Sequence, residues 1–218
     1  AILQVTMNRV VDEQALDMCA GSRARLDQEY DKLPKNEFGV LNAAHLLGVM
    51  RAACATRDFD WAFARLAELW QPYLSSIIHR SAFVACLAHT THARLLINHH
   101  VETGATGDIA ALVRDDLAVL TRMPPGLMAD VPVARTRARL AALSGDRERA
   151  IQYLRPCLDR MSSGNIKQET AHDRYALGLL IAGDEGAALV EQARRDLREC
   201  GVSDPDANMR AYVPELLR

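Results

Sequence analysis

The sequence predicts an all-α fold, in which antiparallel helical hairpins stack into a right-handed superhelical array. Three observations carry this. A phrase of small residue, Gly and Asp recurs as Thr106-Gly107-Asp108, Ser144-Gly145-Asp146 and Ala182-Gly183-Asp184, with its Asp residues 38 positions apart each time. Each phrase lies between two runs whose apolar residues fall at helical spacing, and no segment alternates apolar and polar residues as a half-buried strand would. The composition agrees: 49% of the chain is hydrophobic but only 5% aromatic, with abundant Ala, Leu and Arg, which favours helix over sheet.

The repeated phrase reads as a joint. Gly after a helical run takes a positive φ without a Cβ clash, and the Asp that follows accepts free N–H groups of the next helix's first turn. Gly107, Asp108, Gly145, Asp146, Gly183 and Asp184 are thereby given structural turn roles. A more worn joint is Arg57-Asp58, 50 positions before Asp108, so the helix between must be several turns longer or bent. Ala62, Ala150 and Ala188 each stand four residues beyond one of these Asp residues, where a small side chain lets the second helix of a pair lie against the first.

In chain order, a helix over 10–31 precedes a breaker at 32–39. Hairpins follow at about 38–76, 77–123, 131–161 and 166–200, and a short helix over 205–216 closes the sequence. The first hairpin pairs "LNAAHLLGVMRAACAT" with "WAFARLAELW" across Asp58. The second pairs a long helix over 81–102 with a run through Ile109, Leu112, Val113, Leu117 and Leu120. In the third, Ala150, Ile151, Leu154, Cys157, Leu158 and Met161 form one helical face after the joint. The fourth places Tyr175, Leu177 and Leu180 before its joint and Leu189, Ala193 and Leu197 after it. Breakers at 122–132, 162–165 and 203–208 separate the units. One hairpin cannot bury its own apolar faces, so about nine helices and a short C-terminal one stack as a single domain over 1–218.

Bulk properties narrow the partners. A net charge of −2 gives no general attraction for nucleic acid or an anionic membrane, and no apolar run nears the roughly 18 residues of a membrane span. Cys19, Cys54, Cys86, Cys157 and Cys200 are odd in number and form no CxxC pair, which reads as reduced thiols in a cytoplasmic protein. The chain opens on Ala1, which reads as a fragment of a longer polypeptide, although processing would look the same.

Chemistry-bearing motifs are few. No phosphate-cradling GxxxxGK[ST] loop and no GxSxG nucleophile elbow occurs. A kinase core's Gly-rich loop, strand Lys, catalytic loop and Mg²⁺ motif are missing too. No catalytic residue and no cofactor is therefore assigned. His89 and His92 stand at i, i+3 on one helix, with His99 and His100 further along. Such a pair can share a metal but lacks the third and fourth ligands of a zinc site, so the alternative is a packing or hydrogen-bonding role. Trp61 and Trp70 are either peptide-stacking platforms or fillers between hairpins. The first helices of the hairpins carry Arg51, Arg94, Asn98, Arg135 and Arg139, together with Asp173. On the concave surface of a superhelix these guanidinium groups would grip an acidic peptide, a phosphosite or a terminal carboxylate; alternatively they pair with the chain's own Asp and Glu.

The pattern Ala-x-x-x-Gly-Asp-x-x-x-Ala, clearest over 133–161 and 168–200, resembles the tetratricopeptide repeat, as do Leu47-Gly48 and Leu177-Gly178. The period of 38 is longer than the repeat's usual length of about 34 residues. Taken in order, 36–76, 89–97, 138–154 and 194–216, ending on Gly201-Val202-Ser203-Asp204-Pro205, also resemble the TPR-like C-terminal helical region of bacterial multidomain serine/threonine protein kinases. That resemblance implies a non-catalytic protein- or peptide-interaction or regulatory module of a signalling kinase. The alternative is a small-molecule-sensing helical repeat domain of a large transcriptional regulator, which an enclosed apolar pocket would favour. The expected partner is a protein or peptide of acidic character, with homodimerisation through an uncapped end as a further option.

Overall fold

A computed structural model describes residues 21–163 and 166–217. Their regular structure is entirely helical, with no strand among them. Helix α1 spans Ser22–Tyr30, α2 Val40–Thr56, α3 Phe59–Ser75 and α4 Ala82–Thr103. Two short helices, α5 (Ile109–Leu112) and α6 (Arg114–Thr121), precede α7 (Leu127–Leu143), α8 (Arg147–Ser163), α9 (Lys167–Ile181), α10 (Gly183–Glu199) and α11 (Pro205–Tyr212). Single 3-10 turns cover Ile78–Arg80 and Pro214–Leu216. Of the N-terminal helix expected over 10–31, the part before residue 21 lies outside the described residues, as do Cys19 and, in the 162–165 breaker, Gly164 and Asn165.

The helices pack as consecutive pairs: α2 on α3, α7 on α8 and α9 on α10, while α4 packs against both α2 and α7. The Ser144-Gly145-Asp146 joint behaves as its chemistry predicts. Gly145 adopts φ 79°, the Asp146 N–H reaches back to the Ala141 carbonyl at 2.9 Å, and the Asp146 carboxylate accepts from the Arg149 N–H at 3.1 Å. At Gly107-Asp108, Asp108 accepts from the N–H groups of Ala110 and Ala111, but the left-handed glycine that ends α4 is Gly104 (φ 64°) and not Gly107, and the second limb breaks at Val113 into α5 and α6. That break brings the helix count among the described residues to eleven.

The third joint departs from expectation at two residues. Ala182, at φ 55°, is the N-cap of α10, and Gly183 already begins the helix, so Asp184 lies in the first turn and makes no cap hydrogen bond. The small residue four beyond the cap is therefore Gly186, not Ala188. Gly186 is buried and Ala188 exposed, whereas Ala62 and Ala150, four beyond Asp58 and Asp146, are fully buried as expected. The consequence is an unusually close helix pair. A Cβ built on Gly178 would lie 2.7 Å from the Gly186 carbonyl oxygen, and one on Gly186 would lie 2.4 Å from that of Gly178.

Two further boundaries move. The segment expected to break at 122–132 is helical from Leu127 and carries Pro132 within α7. Pro132 has no N–H to give the carbonyl of Met128, one turn back, and the Cys86 thiol of α4 donates to that oxygen instead. The C-terminal helix expected over 205–216 ends at Tyr212, beyond which the chain turns at Val213. Two large apolar clusters hold the fold. One joins α1 to α4 through Leu46, Met50, Tyr73 and Leu95, and the other joins α7 to α11 through Tyr175, Leu177, Leu197 and Met209. At the ~25 cal/mol per Å² of apolar burial, each fully buried Leu or Met supplies roughly 1.5–3 kcal/mol.

Candidate functional site

Helices α2, α4, α7 and α9 converge with the C-terminal segment on a chamber of about 350 Å³. Helical periodicity explains its walls. Leu87, Thr90, Arg94 and Ile97 recur at three- and four-residue steps on α4; Val131, Arg135, Ala138 and Ala142 do so on α7; Glu169, Asp173, Ala176 and Leu180 do so on α9. Leu154 and Met161 of α8 add apolar surface, and Tyr212, Val213 and Leu216 close one side. The volume sits at the lower end of the roughly 300–1,000 Å³ typical of small-molecule sites.

Four of the five residues expected on a binding surface line this one cavity: Arg51, Arg94, Arg135 and Arg139. The fifth, Asn98, stands behind the wall, accepting from Arg139 Nη2 at 2.7 Å and donating to the Ala211 carbonyl at 2.8 Å. The arginines are not equivalent. Arg135 binds Asp173 through two parallel hydrogen bonds (2.7 and 2.8 Å) and Glu169 at 2.5 Å. Arg139 forks onto both carboxylate oxygens of Glu215 at 2.7 Å. For these two the expected alternative holds: the chain's own carboxylates occupy them.

Arg51 and Arg94 have no carboxylate partner among the described residues. The Arg94 guanidinium lies 4.6 Å over the Tyr212 ring, and its Nε is buried without a hydrogen-bond partner. Arg51 forms neither a hydrogen bond nor an ion pair with a described residue. Burial, and then the nearby charge of Arg94, pull its guanidinium below the ordinary range. On the opposite wall, burial pushes the Glu169 carboxyl upward, but the charge and hydrogen bond of Arg135, added to the pull of neighbouring groups such as Arg94, together hold it at about 2. His172 is 4% exposed; burial pulls it down to about 4, so it is neutral at pH 7. Its Nε2 pairs with the Asn208 carboxamide oxygen at 2.8 Å, which leaves Nδ1 as a buried acceptor without a hydrogen-bond partner.

Sequence reasoning did not find Glu169, His172, Tyr212 or Glu215 as site residues. Glu169 and Asp173 did carry a signal, since their i, i+4 spacing on one first helix matches that of Arg135 and Arg139 on another.

His89 and His92 lie away from this chamber's polar wall, and both turn Nδ1 to one buried carboxylate. Asp116 of α6 accepts from them at 2.7 and 2.8 Å. His79 Nε2 meets His89 Nε2 at 3.1 Å, and Trp70 stacks on His92 with ring centroids 4.1 Å apart. Burial would raise the Asp116 carboxyl, but the two imidazole hydrogen bonds prevail and hold it below the usual range. This pair thus joins α4 to α6 through a shared acceptor. Among the described residues, no group of three His, Cys, Asp or Glu side chains is disposed to hold a metal ion. Trp61 donates to Asp27 at 3.0 Å and Trp70 fills space beside Tyr73, so both are packing residues between helix pairs.

Neither a family model, nor a curated protein, nor a solved structure matches the chain. No described helix is long and apolar enough to cross a membrane.

Proposed function

We propose that this chain is a non-catalytic binding module: a TPR-like superhelical array whose inner face is the chamber, used to recognise a small molecule. The observation that supports it is a partly open cavity with mostly apolar walls and a few convergent polar groups, the usual build of a small-molecule site. An open groove for an extended peptide fits less well, because Tyr212 and Glu215 of the chain's own C-terminal segment already lie across the inner arginines. In a polypeptide that carries a kinase domain, as the sequence resemblance implies, occupancy of the chamber would act as a regulatory input.

Filling the chamber tests this. Thr90→Phe and Ala142→Trp add bulk from opposite walls at half-buried positions. The purified chain, incubated with a small-molecule cell extract and then washed, should release a bound compound on denaturation, detected by mass spectrometry. Both variants should release none while still melting cooperatively. Undiminished retention by folded, filled variants would remove the chamber from consideration.

A further inference from the structure

We propose that the chamber's ligand is a small organic monocarboxylate with an aliphatic body, its carboxylate held between Arg51 and Arg94. This rests on the reading of the chamber as a binding site and specifies what the site takes.

Charge bookkeeping across the cavity leads to the ligand's charge. Arg51, Arg94, Arg135 and Arg139 face Glu169, Asp173 and Glu215, four cations against three anions, with His172 neutral. The surplus is localised. The three carboxylates are committed to Arg135 and Arg139 by short, geometrically matched hydrogen bonds. Arg51 and Arg94 stand on adjacent helices without such a partner. A half-buried guanidinium lacking an anion is only partly hydrated, and two side by side also repel one another. A single carboxylate relieves both, since its two oxygens match the planar donor forks of arginine. A phosphate dianion would overshoot the surplus and bring its third oxygen towards Glu169. The rest of the cavity asks for hydrocarbon: Leu87, Ile97, Val131, Leu154 and Leu180 offer aliphatic surface, and Met161 adds its apolar thioether. Closure by Tyr212 and Leu216 favours a compact ligand over the terminus of a long peptide.

Octanoate is the probe, titrated calorimetrically into the full chain beside acetate, octanamide, inorganic phosphate and a peptide with a free C-terminal carboxylate. Octanoate should bind one to one and at least tenfold tighter than each of the others. Arg51→Gln and Arg94→Gln should each weaken it tenfold or more, and Arg51→Lys less than Arg51→Gln. Arg51→Gln should melt no lower than the parent protein, so loss of binding cannot be ascribed to unfolding. Equal binding of acid and amide, lost in Thr90→Phe, would overturn the monocarboxylate while leaving the chamber as a binding site. Tighter binding of phosphate or peptide would overturn it as well. So would octanoate affinity unchanged in both Gln variants, or no octanoate binding at millimolar concentration.

Discussion

The two sides of the chamber use the same residue type to opposite ends. On the α7–α9 side, Arg135 and Arg139 are braced by Asp173, Glu169 and Glu215, so each guanidinium is held by carboxylates of the same chain. On the α2–α4 side, Arg51 and Arg94 lie half-buried beside one another with an aromatic face and a thiol for company. A braced arginine fixes the distance between helices; an unbraced one holds unused binding capacity. The contrast teaches that a cluster of arginines is not one feature. The partner inventory of each member decides whether it stabilises the fold or waits for a ligand.

The largest effect that could break this comparison is on the braced side. Asp173→Ala leaves Arg135 with Glu169 alone and should cost roughly 3–5 kcal/mol in urea unfolding, as removing one partner of a buried pair does. A cost under ~1 kcal/mol would mean that the brace carries no stability. Next comes acid sensitivity. His172 is neutral in the fold with a pKa of about 4, against 6.5 for a free imidazole. The unfolded chain therefore takes up this proton first, so stability is fully present above pH 6.5 and falls as pH drops towards 4, by about 3 kcal/mol. His45, buried with neither ring nitrogen hydrogen-bonded to a described residue and also held at about 4, adds a loss of the same sign. Urea midpoints across pH 4–7 check this, and His172→Gln should flatten the profile in part.

Gly178→Ala places a methyl group against the Gly186 carbonyl and should destabilise by roughly 1–3 kcal/mol, the range of overpacked cores. The two joints of the braced side then separate on a finer scale. Asp146→Ala should lose about 1 kcal/mol of cap stabilisation, while Asp184→Ala, which removes no cap hydrogen bond, should change stability by no more than ~0.5 kcal/mol. The smallest effect, with its sign reversed, belongs to the unbraced side. Arg51→Gln should leave the melting temperature unchanged or raise it, a gain on the order of 1 kcal/mol or less. A clear loss there would show that Arg51 is already paired and would erase the distinction between the two sides.

Much of the fold was legible because its signals are local. Gly145, Asp146 and Asp108 announce turns through backbone and cap chemistry that depends on a few neighbouring residues. Arg51, Arg94, Arg135 and Arg139 were placed on first helices by the same local reading, and the four line one cavity. What escaped depends on groups far apart in the chain. Nothing near Arg139 points to Glu215, 76 positions on, and nothing near His89 and His92 points to Asp116 as their common acceptor. The slipped third joint was hidden for a different reason. Ala182-Gly183-Asp184 has the right residues, but the pull of Gly178 and Gly186 into contact sets the helix start two residues earlier than the Asp would.

That glycine contact also has a mechanical side. Where α9 and α10 cross, main chain meets main chain, with the short Val190 side chain packed beside the contact. Glu169 and Asp173 ride on the inner rod, and the solvent-facing Glu191 and Arg195 on the outer one. Two missing methyl groups thus set how closely the outside of α10 is tied to the carboxylates that brace Arg135.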